Sequence, residues 1–74
     1  MELNQYQKGI TDLSNALAVN ERNPMVYYRR GLAYYKNKEF LASIKDLEKS
    51  LMYEPSKHIQ PDIFYHIGIA YSNL

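Results

Sequence analysis

The sequence predicts an all-α fold, with four antiparallel helices stacked as helix-turn-helix repeats in an α-solenoid segment. Three observations carry this reading. Large apolar residues recur at helical spacing: Tyr6, Ile10, Leu13, Leu17 and again Phe40, Ile44, Leu47, Leu51 run at four, three and four residues. The three prolines, Pro24, Pro55 and Pro61, fall between these segments, where a residue without an N–H starts or ends a helix. Finally, the chain overlays on itself.

The elements follow in order. The first helix, 5–20, rests on the Tyr6–Leu17 stripe. The second, 24–37, opens on Asn23-Pro24, with Asn23 as N-cap and Pro24 at the first helical position. Asn37-Lys38 makes the turn into the third helix, with Asn37 expected in the left-handed conformation that asparagine tolerates. The third helix, 39–54, stops before Pro55, because the residue ahead of a proline is pushed out of the helical region. An irregular linker over 55–60 leads to the fourth helix, 61–74. Its start at Gln60-Pro61 is less well capped, but Asp62 in the first turn complements the helix dipole. No segment alternates with period two, so no strand is expected.

Shifting the first helix by 34 residues places it on the third: Tyr6 meets Phe40, Ile10 meets Ile44, Asp12 meets Asp46, Leu13 meets Leu47 and Leu17 meets Leu51. Shifting the second by 37 places it on the fourth: Tyr27 meets Phe64, Tyr28 meets Tyr65, Gly31 meets Gly68 and Tyr34 meets Tyr71. The helix order is therefore B-A-B-A. Three extra residues, near His58-Ile59-Gln60, lengthen the second linker. Glycine inside a helix costs about 1 kcal/mol relative to alanine. Gly31 and Gly68, at one phase of two A-type helices, are thus expected where another helix comes close. Arg30 beside Gly31 holds a core-facing phase, where an unpaired charge is costly. It is expected to pair with Asp46 or Asp12.

This pattern resembles the tetratricopeptide repeat family. In the complete repeat, Tyr27, Arg30-Gly31, Tyr34, Phe40, Ile44, Leu47 and Pro55 stand at the positions that build the repeat, and Phe64, Gly68 and Tyr71 repeat the first of them. Lys38 replaces the usual inter-helix glycine, and Ser43 and Ser50 replace alanines. The resemblance implies one domain over 1–74, made of a B helix 5–20, a complete repeat 24–57 and an A helix 61–74, cut from a longer repeat protein. It also implies that the A helices line a concave groove. The second stripe of those helices supplies Met25, Tyr28, Arg29, Leu32, Tyr35 and Lys36, continued by Asp62, Tyr65, Ile69 and Asn73. An apolar and aromatic strip with polar punctuation suits an extended peptide or a docked helix. The family's carboxylate clamp is not expected, because its positions fall on Arg29, Leu32, Asp62 and His66, and Asp62 stands where a cation belongs.

Composition narrows the function classes. Among 74 residues there is no cysteine, which excludes disulfides and thiolate metal sites and points to a reducing, intracellular and cytoplasmic setting. No apolar run reaches the roughly 18 residues that span a bilayer. A net charge of +1 with both signs interspersed gives no basic stripe for nucleic acid. His58, Asp62 and His66 are spaced by four, but Pro61 breaks the helix between them, so neither a metal nor another cofactor is expected. No Gly-rich loop, carboxylate pair or nucleophile–base pair suggests an enzyme. The expected role is a protein-interaction scaffold or adaptor. The alternative is a structural solenoid segment that self-associates head-to-tail, with Tyr6, Ile10, Leu13 and Leu17 open on the first helix and Phe64, Ile67 and Tyr71 open on the fourth.

Overall fold

The computed structural model describes residues 5–74 and contains α1 (Gln5–Val19), α2 (Pro24–Lys36), α3 (Phe40–Met52) and α4 (Gln60–Ser72), with no strand among the described residues. Residues 1–4, which open the domain expected over 1–74, lie outside them. Helices adjacent in sequence pack side by side, and α2 also meets α4. The starts of α1 and α2 fall where expected, and the other ends differ by one or two residues. At α2 the Asn23 side chain accepts from the N–H groups of Met25 and Val26 at 3.0 and 3.4 Å, with Pro24 in the first turn. At α4 no side chain caps the start, and the helix begins at Gln60, one residue before Pro61.

Lys38, not Asn37, takes the left-handed conformation: its φ is 63°, whereas Asn37 has φ −86°. The hydrogen bonds give the reason. Lys38 N–H donates to Tyr35 O at 3.0 Å, and Glu39 N–H donates to Tyr34 O at 2.9 Å. This Schellman pairing places the positive φ one residue beyond the C-cap. Glu54 does the same after α3, with φ 56°, which ends that helix at Met52 rather than Glu54. Two of the three residues inserted in the linker are structural: Ile59 is buried beside Leu47 and Ile63, and Gln60 Nε2 donates to Pro55 O at 2.9 Å.

The core forms where α2 meets α3 and α3 meets α4. Leu47 and Ile63 are fully buried, and Ile44 nearly so. A Cβ added at Gly31 would lie 2.8 Å from Cγ and Cδ2 of Leu47, so α2 and α3 approach as closely as the glycine predicted. The serines of α3 use this closeness. Ser43 Oγ donates to Gly31 O at 2.7 Å and Ser50 Oγ to Pro24 O at 2.8 Å, so both buried hydroxyls are satisfied by the α2 backbone. Gly68 behaves differently: nothing lies within 4 Å of its Cβ position. The expected close approach is absent there, because no helix of the described chain packs on that face of α4, and Phe64 and Tyr71 remain exposed beside it. On α1, Ile10 and Leu17 are buried, contrary to the expectation of an open stripe, because α2 covers them.

Arg30 settles between three helices. Its Nε and Nη2 donate to the two carboxylate oxygens of Asp46 at 2.6 and 2.9 Å, and Nη1 donates to Ser14 Oγ at 3.0 Å. Asp12, the other candidate partner, is exposed. The guanidinium also lies 5.8 Å from the Tyr27 ring centroid and 5.7 Å from that of Tyr34. The hydrogen bonds to Asp46 hold Arg30 protonated more firmly than usual, outweighing the desolvation that opposes its charge.

Two outcomes are expected in urea or thermal unfolding. Gly31→Ala should destabilise by about 1–3 kcal/mol through overpacking against Leu47, whereas Gly68→Ala should stabilise by about 0.5–1 kcal/mol through helix propensity alone. Arg30→Ala leaves Asp46 buried without its partner and should cost about 3 kcal/mol, while Arg29→Ala on the exposed face should stay within about 0.5 kcal/mol.

Candidate protein-binding groove

The strip predicted along the A-type helices is carried by α2 and α4, which meet through a polar contact and, further along, the rings of Tyr35 and His66. The Tyr28 hydroxyl donates to Asp62 Oδ2. Burial, the hydrogen bond to Asp62 and the carboxylate charge together push the Tyr28 hydroxyl from 10.0 up to about 12, against a smaller downward pull from Arg29. Tyr28 and Met25 are half-buried and pack on the core cluster of Leu47, Ile59 and Ile63. Part of the predicted strip therefore seals the seam between helices. Leu32, Tyr35 and Ile69 are half-buried, Arg29, Lys36 and Asn73 exposed. Tyr65 is 62% exposed. The Asn73 amide folds back to donate to Ile69 O at 2.7 Å, which turns that side chain toward its own helix end.

His66 belongs with this group, although the sequence pattern counted it only against a metal site and a carboxylate clamp. Its side chain is only 19% exposed, and its ring meets Tyr35 and Tyr65 edge-to-face, with centroids 5.6 and 5.3 Å apart. The signal was available: Asp62, His66, Ile69 and Asn73 follow the four-three-four spacing of one helical face. Tyr35 also stacks edgewise on Phe40 at 5.5 Å, so the start of α3 supports the far end of the strip. An open depression beside the α2–α3 turn, lined by Lys38, Phe40, Leu41, Lys45 and Leu74, shares no residue with it.

Among the described residues, no helix is long and apolar enough to cross a membrane. Residues 1–38 match the family described as TPR repeat, and residues 24–57 match the family described as tetratricopeptide repeat. Neither the curated proteins nor the solved structures give a match to the chain.

The Tyr28 shift has a defined sign. The folded state retains the phenolic proton that the unfolded chain releases near pH 10, so this contribution to stability is fully present below pH 10. It is lost as pH rises toward about 12. The stability advantage of the wild type over Tyr28→Phe should therefore shrink across that window, measured by denaturant unfolding at stepped pH. An absorbance titration of Tyr28→Phe should lack a tyrosine ionisation near pH 12 that the wild type shows.

Proposed function

Because the chain belongs to the tetratricopeptide repeat family, whose repeats generally mediate protein–protein interaction, we propose that it binds a partner polypeptide in the groove lined by α2 and α4, as a scaffold or adaptor. The observation that supports this most is the open aromatic surface on that face. Tyr65 is 62% exposed beside the half-exposed Ile69, Leu32 and Tyr35, and each large apolar side chain covered by a partner contributes about 1.5–3 kcal/mol. The outward residues of α3 that are exposed are mainly charged, Lys45, Glu48 and Lys49, with Leu41 and Met52 set apart near its two ends.

A second reading draws on one specific feature. Phe64, Gly68 and Tyr71 repeat the Tyr27–Gly31–Tyr34 face that α3 covers, and Phe64 and Tyr71 are 59% and 53% exposed. The face of α1 equivalent to the α2-facing side of α3 carries Tyr6, Asp12, Leu13 and Ala16, all at least partly exposed. Docking α4 of one copy on α1 of another would reproduce the α2–α3 contact head-to-tail. One substitution opposes it. Ile67 stands where α2 has Arg30, so Asp12 would be desolvated without a cation. The groove reading is therefore preferred.

Heptapeptides selected by display against the chain provide the test. Tyr65→Ala and Ile69→Ala should weaken the selected peptides by about tenfold or more, whereas Lys45→Ala and Glu48→Ala on α3 should leave them unchanged. Equal losses from both helix types would remove the case for the groove. Sedimentation of the chain at rising concentration decides the second reading, which requires species larger than a monomer.

A further inference from the structure

Asp62 is the only carboxylate on α2 or α4. Its side chain is 41% exposed, and Oδ2 lies 3.4 Å from His66 Nδ1 while accepting from Tyr28. Among the described residues, Oδ1 has no hydrogen-bond donor. His66 Nδ1 lies 2.9 Å from the Asp62 carbonyl oxygen. A carbonyl only accepts, so Nδ1 carries the proton in this bond, and Nε2 is the acceptor when the ring is neutral. Around these atoms stand the Tyr35 and Tyr65 rings, both edge-to-face with His66.

The groove at this point thus offers bare acceptors, one negative charge and aromatic faces. That combination favours a cation with several N–H donors. Carboxylate–guanidinium bonds are charge-assisted and directional, and aromatic faces attract a cation through their quadrupole. Arginine fits better than lysine because a planar guanidinium stacks on a ring while its N–H groups reach two acceptors at once. Arg29 and Lys36, exposed on α2, carry the same charge as such a ligand and oppose it from the groove edge. We propose that Asp62, with Tyr28, Tyr35, Tyr65 and His66, forms a subsite for the guanidinium of an arginine on the bound polypeptide, a role that rests on the groove reading above.

The display-selected heptapeptides test this separately from the groove itself. They should share an arginine, and replacing it with citrulline, which keeps the shape and removes the charge, should weaken binding about tenfold. In Asp62→Asn, which keeps an oxygen for the Tyr28 hydroxyl, the citrulline and arginine peptides should bind alike. Arg29→Ala should tighten the arginine peptide about twofold by removing a like charge. Peptides that lose affinity with Tyr65→Ala and Ile69→Ala, yet bind equally with citrulline, would overturn the subsite and leave the groove. Peptides indifferent to every groove variant would overturn both. Should Asp62→Asn unfold by circular dichroism, the citrulline comparison and Arg29→Ala still decide the matter on folded protein.

Discussion

The close approach of α2 and α3 at Gly31 is the constraint on which the rest of this small structure depends. A side chain at that position would meet Leu47, so only glycine lets the fully buried Leu47 sit against the α2 backbone while joining Ile59 and Ile63 in the core. Once the helices are this near, the hydroxyls of Ser43 and Ser50 reach carbonyl oxygens of α2. Those serines therefore replace smaller apolar residues without leaving an unsatisfied group, and no buried side-chain polar atom among the described residues lacks a partner.

The same proximity gives Arg30 its place. A guanidinium next to Gly31 is tolerated because Asp46 of α3 meets it with both carboxylate oxygens and Ser14 of α1 with its hydroxyl. Three helices are thus joined at one residue by directional bonds, whereas apolar packing alone would allow them to slide. Because this charge is consumed internally, the electrostatics of the opposite face of α2 are left to Arg29, Lys36 and the single acid of α4, Asp62. The charge of that face is in this sense a consequence of how the core compensates its own cation.

That face and the core are also coupled mechanically. Tyr28 packs on the core cluster with its ring and bonds Asp62 with its hydroxyl, so one side chain both seals the α2–α4 seam and orients the Asp62 carboxylate. Tyr35 plays a similar part at the other end, bridging Phe40 of α3 and His66 of α4. Eight tyrosines in 74 residues suit a thin stack of helices, where most side chains have one buried flank and one wet tip. Tyr27 shows the same division, buried along its ring while its hydroxyl donates to Glu21 O at 2.8 Å.

The sequence by itself determined four helices, their B-A-B-A order, the Asn23-Pro24 start, the Gly31 contact and the choice of Asp46 or Asp12 for Arg30, because each rests on spacing or on a local backbone preference. Only the tertiary structure decided among the rest, where the outcome depends on what lies opposite. Gly31 and Gly68 are alike in sequence, yet one faces Leu47 and the other open space. Ile10 and Leu17 match residues on α3, and only the position of α2 shows them to be buried. His66 is enclosed by rings contributed by α2 and by its own neighbour, Tyr65. Periodicity assigns a residue to a face of its own helix, but what that face meets is set by neighbours far along the chain. Burial, pairing and the chemistry of the face shared by α2 and α4 are therefore fixed only when the helices pack.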